Sequence, residues 1–402
     1  MTNAIYLTTT EPYSGKSIIA LGLMNLLLAK TEKIAYFKPV ISREGTEKDG
    51  HLETLSAHFK LNAPYEEMFV FTRAEVIKHI NAGNESYVID TIIDRFKNLQ
   101  ERYDFVVVEG TDFIGGSTNV EFNGNISIAK NLGIPTAIIV KGEDKSVQEI
   151  VDTAVTITKS FTTEGVEVLT LIANKIEAES DDTIRKQLTK ALPSGIIVTA
   201  IPSNKDLGNP TMREIFESVG GRVLAGENLM SNQVDESIVG AMQLRNCLTR
   251  LKKNTLIVTP GDRGDIIIGA LVANLSKNFD KIAGIILTGG LEPEPTILKL
   301  IDGLDTVVPI ILVKSGTFKT VTRVANTQSR ISPDSKEKIA LAIGLFDKYL
   351  DVKALERKII SFKTPSITPR MFQYQIVKRA KEQKKHIVLP EGDDDRILLA
   401  AD

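Results

Sequence analysis

The stretch Ala4-Ile5-Tyr6-Leu7-Thr8-Thr9-Thr10-Glu11-Pro12-Tyr13-Ser14-Gly15-Lys16-Ser17 decides how this chain folds. Residues 4–8 form a short run of strand character, and the apolar pattern over 16–28 has the period of a helix. A strand that breaks at a turn bearing Pro and Gly and re-enters a helix at Gly-Lys-Ser is the context of a phosphate loop. Backbone N–H groups and the helix N-terminus there point at an anion, Lys16 brings positive charge to β and γ phosphates, and the Ser17 hydroxyl suits Mg²⁺. The general pattern G-x-x-x-x-G-K-(S/T) has glycine where this chain has Thr10. A β-branched residue is disfavoured where φ must be positive. Two readings stay open: a loop that binds ATP with Mg²⁺, or an inherited loop that no longer binds.

Outward from the loop, short apolar runs alternate with amphipathic patterns. Strands are expected at 34–37, 105–108, 137–140, 168–173 and 196–200, and helices at 87–102, 125–131, 147–161 and 181–192. This alternation predicts βαβ units and an α/β fold around a mostly parallel sheet. The polar stretch 203–211 marks a change of unit. Beyond it, strands at 256–258, 283–287 and 308–313 with helices at 264–278 and 295–302 predict a second, smaller α/β unit. Two prolines in 362–369 suit an extended linker. The run 387–389 opens a third α/β unit, incomplete at Asp402, which cannot bury both of its own faces. The expected division is 1–205, 212–350, a linker 351–370 and the start of a further domain at 371–402, with 372–402 the least stable segment.

Composition sets bounds on function. With 402 residues, 42% hydrophobic and 25% charged, the chain fits two or three globular domains. A net charge of −2 and a pI near 6.2 give no field that gathers nucleic acid or a membrane surface, so small molecules and other subunits are the expected partners. The single Cys247 excludes an internal disulfide framework, and four histidines without ligand spacing argue against zinc. The N-terminus lacks a basic leader, and no apolar run approaches the roughly 18 residues of a membrane span. A cytoplasmic location is expected.

The phosphate loop resembles that of dethiobiotin synthetase and its relatives, which read G-T-D-x-x-x-G-K-(S/T). Thr10 fits that pattern, whereas Thr9 replaces the family's glycine and Glu11 its aspartate. Phe37-Lys38-Pro39-Val40 is similar to the family's Y-K-P-V, Val106-Val107-Val108-Glu109-Gly110 to its V-V-E-G, and Ala173-Asn174-Lys175 to its A-N-(R/K). The resemblance implies phosphate binding by Thr10, Gly15, Lys16 and Ser17, substrate contact by Lys38, a place for Glu109 beside a metal held with Ser17, and base recognition by Asn174. On the residues alone, Lys38 also reads as a solvated strand exit and Asn174 as a turn cap. Glu109, at a strand C-terminus, faces the ligand crevice of an open α/β sheet. Thr111-Asp112-Phe113 before Gly115-Gly116 replaces the family's A-G-G, which argues against ring-closing carboxylation.

In the second unit, Thr259-Pro260-Gly261-Asp262-Arg263-Gly264-Asp265 and Leu287-Thr288-Gly289-Gly290 resemble the two halves of the DRTGG domain, a regulatory-type module. Both are Gly-bearing strand ends on one edge of a sheet, so Asp262, Arg263, Thr288, Gly289 and Gly290 are candidates to meet an anion or a partner loop. Tight turns that need glycine for positive φ are the alternative.

Phe372, Tyr374 and Ile376, followed by Ile387-Val388-Leu389-Pro390-Glu391-Gly392 and Arg396, resemble the opening of the catalytic domain of phosphate acetyltransferases. The order of units is similar to the long form of that family. The resemblance implies reversible acetyl transfer between coenzyme A and inorganic phosphate by the intact protein. Acetyl-CoA and acetyl phosphate would be its metabolites, the leading units would take allosteric effectors, and the assembly would be a homo-oligomer. It puts the catalytic residues beyond Asp402 and none within this chain. The alternative is a stand-alone nucleotide-binding or metabolite-sensing protein.

Overall fold

The computed structural model describes residues 4–42, 48–111, 118–304, 308–361 and 368–382. The first unit runs β1 (Ala4–Thr9), α1 (Lys16–Leu28), β2 (Ile34–Phe37), β3 (Val40–Ile41), α2 (Gly50–Phe59), β4 (Phe71–Thr72), α3 (Arg73–Asn81) and α4 (Glu85–Arg102). It continues with β5 (Phe105–Glu109), α5 (Thr118–Leu132), β6 (Thr136–Lys141), α6 (Val147–Thr163), β7 (Val168–Ile176), α7 (Asp181–Ala191) and β8 (Ile197–Pro202). Six of these strands make a parallel sheet in the order β2-β5-β1-β6-β7-β8. β1 lies between two parallel partners, with Ala4 opposite Val106 and Leu7 opposite Ala137, and is buried throughout. Burial on both faces is why its apolar run is continuous. The strand order reverses on either side of β1, and in such sheets the crevice outside the carboxyl ends at the reversal is the ligand site.

A short connecting helix, α8 (Lys205–Gly208), whose Leu207 packs on the core of the first unit, leads into the second unit, which runs α9 (Met212–Val219), β9 (Arg222–Ala225), β10 (Glu236–Val239), α10 (Leu244–Leu248), β11 (Thr255–Pro260) and α11 (Gly264–Leu275). It ends with β12 (Gly284–Thr288), α12 (Pro295–Asp302), β13 (Ile310–Leu312) and α13 (Thr317–Ala325). Its sheet, β10-β11-β12-β13-β9, is parallel except for the edge strand β9, which runs antiparallel to β13. One face packs on α9 and α13 through Met212, Ile215 and Val324; the other packs on α10 and α11 through Cys247, Ile266 and Leu271.

The remaining helices differ from the expected division. α14 (Lys336–Tyr349) and α15 (Val352–Ser361) return to the first sheet, where Ile339, Phe346, Leu355 and Ile359 join the core of α1 and β1. Residues 336–350 were expected to pack with the second unit, and 351–370 to form a linker. Instead Val352–Ser361 is helical because Leu355 and Ile359 recur at helical spacing and are buried. This return explains why α1 is apolar on all faces: it is sandwiched between sheet and α14. Gly22 permits the approach, since a Cβ there would fall 2.0 Å from Phe346 Cγ.

α16 (Pro369–Glu382) lies against α4 and α5. It buries Met371 and turns Tyr374 toward the same core, while Phe372 and Ile376 stay exposed. Residues 362–367 and the Ile387–Arg396 motif lie outside the described residues, as do Asp112, Phe113, Gly115 and Gly116. The strands β3, β4, β9 and β10 were not anticipated: β3 and β4 have two residues each, and β9 and β10 are edge strands without a fully buried residue, so they lack the apolar run that marks the equally short β2.

Candidate functional site

The phosphate loop joins β1 to α1 at the reversal of strand order. Positive φ falls at Tyr13 (57°) and Gly15 (82°), not at Thr10. The β-branched residue at the usual glycine position is therefore unstrained. The loop is braced from within by Thr9 Oγ1, which donates to the Glu11 carbonyl (2.9 Å), and from outside by the ion pair of Glu11 with Lys145. Asn174, at the end of β7, donates its Nδ2 proton to the Ser14 carbonyl (2.8 Å), and a Cβ on Gly15 would fall 2.0 Å from that nitrogen. The side chain expected to read a base is thus engaged in holding the loop.

α1 begins at Lys16, its N-cap Gly15 supplies no side-chain cap, and this uncapped first turn lines the crevice with Ser17 half-buried in it. The Lys16 ammonium reaches inward. It lies 3.0 Å from Glu109 Oε1 and donates to the Gly110 carbonyl (2.6 Å). Glu109, fully buried at the end of β5, is also 3.6 Å from the Lys38 ammonium. Its other oxygen accepts from Tyr36 (2.5 Å) and meets His51 Nδ1 at 2.6 Å. Lys38 is buried, not solvated; it pairs with Asp49 (3.1 Å), whose carboxylate in turn caps α2 by accepting from the His51 and Leu52 N–H groups.

Burial alone raises the pKa of Glu109, but the charges of His51, Lys16 and Lys38 outweigh it and hold the carboxyl well below the usual carboxylate range. Glu109 thus serves as the shared counter-ion of two buried lysines. That donor set does not suit a divalent cation, because the ammonium groups already occupy the space a metal needs. The expected Mg²⁺ ligation by Glu109 with Ser17 is therefore not supported by the geometry, and the described residues contain no cluster of three or more His, Cys, Asp or Glu that could hold a metal. Sequence reading missed Tyr36, Asp49 and His51. Only the Asp-Gly-His helix start around Asp49 offered a signal, and it is common to many N-caps.

A cavity of about 500 Å³ opens over the loop. Its walls include residues 13–18, Lys38, His51, Asn174 and Lys175, and also residues 328–333, which precede α14.

In the second unit, the two Gly-bearing strand ends lie side by side, the Gly261 N–H donating to the Thr288 carbonyl (3.4 Å). Arg263 is spent internally: it forks onto Asp265 (2.8 and 2.9 Å) and donates to the Met242 carbonyl (2.9 Å). The Thr288 hydroxyl pairs with that of Thr317 (2.8 Å), Gly289 and Gly290 both take positive φ, and Asp262 is exposed. The geometry favours turn-forming roles for these residues.

A parallel sheet with strand, phosphate loop and helix at its switch point defines a P-loop-type α/β protein. The chain belongs to the AAA domain family, whose model matches residues 3–211, and the DRTGG domain matches residues 214–327. Over its whole length it is 36% identical to the phosphate acetyltransferase of Nitratidesulfovibrio vulgaris and 35% identical to that of Synechocystis sp.. The chain spans 58% of the length of each of these relatives. Among solved structures, a ParA family ATPase from Chlorobium tepidum TLS aligns with 52% of this chain and 87% of its own, at 13% identity and a TM-score of 0.32. Among the described residues no helix is long and apolar enough to cross a membrane.

Proposed function

We propose that the intact protein is a phosphate acetyltransferase, converting acetyl-CoA and phosphate to acetyl phosphate and CoA and back, and that these 402 residues form its leading regulatory and assembly region. The observation that carries this reading is the 36% identity along the entire chain set against 58% coverage of the relative. Attack of phosphate on a thioester carbonyl needs a clamp for the dianion, donors for the developing oxyanion and a base to manage the thiol proton. The buried ionic groups described here face one another, and Arg263 faces its own turn, so these functions are assigned to the remainder of the protein. Its metabolites would be acetyl-CoA and acetyl phosphate, its assembly a homo-oligomer and its compartment the cytoplasm. Assay of coenzyme A release tests this. Turnover by the full-length protein and none by residues 1–402 is expected; a full-length protein without turnover overturns it.

A narrower reading, favoured by the uncapped α1 and its cavity, is that the first unit takes a phosphate-bearing ligand such as ATP. Calorimetric titration of residues 1–402 with ATP is expected to give saturable binding, and its loss in Ser17→Glu, which puts a carboxylate at the anion's position, checks the location.

A further inference from the structure

We propose that Arg330 is an anion-binding residue of the phosphate-loop cavity, contributed by the segment that leaves the second unit. The proposal rests on the reading of that cavity as a site for a phosphate-bearing ligand. The DRTGG match ends at residue 327, and residues 328–333 line the same cavity as residues 13–18. The segment is fastened to both units. Thr54, on α2, donates to the Ile331 carbonyl (3.0 Å), and the Arg330 N–H donates to Glu214 on α9. Lys338 adds hydrogen bonds to Ser329 Oγ (2.6 Å) and the Asn209 carbonyl (2.9 Å).

The backbone of Arg330 is therefore anchored while its side chain is exposed, and its guanidinium makes no hydrogen bond or ion pair among the described residues. The lysines of the cavity are already engaged: Lys16 and Lys38 share Glu109, and Lys175 lies 3.7 Å from Glu143. A planar fork of donors on an anchored backbone, across a cavity from an uncapped helix N-terminus, suits phosphate oxygens better than any of those ammonium groups. A ligand held by both would bridge the first unit and the chain segment fastened to the second. Occupancy of the cavity would thus be felt at α9 through the Arg330 N–H and Glu214.

The test is isothermal titration of the full 402-residue chain with ATP and with inorganic tripolyphosphate. Arg330→Ala is expected to weaken both by about 10- to 100-fold, the worth of a hydrogen bond to a charged group, with the melting temperature of the ligand-free protein unchanged. Arg330→Lys should recover part of the affinity. Equal affinity in wild type and Arg330→Ala overturns the assignment and leaves the phosphate-loop reading standing. If wild type binds neither probe, both fall together.

Discussion

The backbone of Gly22 lies directly under the ring of Phe346, residues more than three hundred positions apart in sequence, so that a Cβ on Gly22 would sit 2.0 to 2.4 Å from three atoms of Phe346. Alanine for glycine inside a helix normally stabilises by about 1 kcal/mol. Here the methyl group has no space, and Gly22→Ala is expected to destabilise by about 1–3 kcal/mol, the usual cost of overpacking. Phe346→Ala alone should cost about 3–5 kcal/mol. In the double variant the Gly22 substitution should become neutral or favourable, a sign reversal that urea denaturation of the four proteins would reveal.

Glu109→Gln removes the counter-charge of buried Lys16 and one of the two carboxylates beside Lys38, whose pair with Asp49 remains, and a loss of about 3–5 kcal/mol is expected. The pH dependence has a definite sign. The folded pKa of Glu109 is depressed, so its contribution is fully present above the unfolded value of about 4.3 and is lost as pH falls below it. The gap in denaturation free energy between wild type and Glu109→Gln should therefore narrow on going from about pH 6 to about pH 3. A gap that widens in acid would contradict the assignment.

Asn174→Ala removes the donor that satisfies the Ser14 carbonyl, at an expected cost of about 1–3 kcal/mol. It also removes the obstacle beside Gly15. Proteolysis of the loop between Thr10 and Gly15 should quicken in Asn174→Ala and slow again when a ligand occupies the cavity. Unchanged cleavage would mean that the loop keeps its shape without Asn174.

Residues 372–402 were expected to be the least stable part of the chain, yet α16 has one anchor of consequence. Met371 is buried against the first unit, whereas Phe372 is 57% and Ile376 52% exposed. Met371→Ala should raise amide hydrogen exchange across Pro369–Glu382, and Phe372→Ala should not. The pairs Arg370–Asp90 and Lys378–Glu101 are surface contacts worth less than about 1 kcal/mol each, so Arg370→Ala should matter little.

The sheet strands of the first unit were legible because burial on both faces demands unbroken apolar runs, and the run 4–8 is of that kind. The phosphate loop was legible because Gly15-Lys16-Ser17 follows a strand. What escaped was set by distance in the chain. Nothing local to Phe346 says that it covers Gly22, and nothing local to Asp49 or His51 says that one meets Lys38 and the other Glu109. Thr10 read as a conflict because the general pattern asks for glycine there; the left-handed backbone in fact falls on Tyr13 and Gly15. Asn174 read as a ligand contact or a turn cap, and neither reading anticipated a brace on the loop two strands away.

The return of α14 and α15 to the first sheet has a mechanical consequence. A module joined by a single linker swings freely, like a weight on a string. This one is threaded in at Pro202 to Pro210 and out at Gln328 to Pro333, so it is an insertion held by two tethers. Two tethers leave one easy motion, rotation about the line between them, and the exit tether passes along the rim of the cavity. Such a rotation twists the exit tether where it stands, so a tilt of the inserted module would reach the cavity as torsion of residues 328–333.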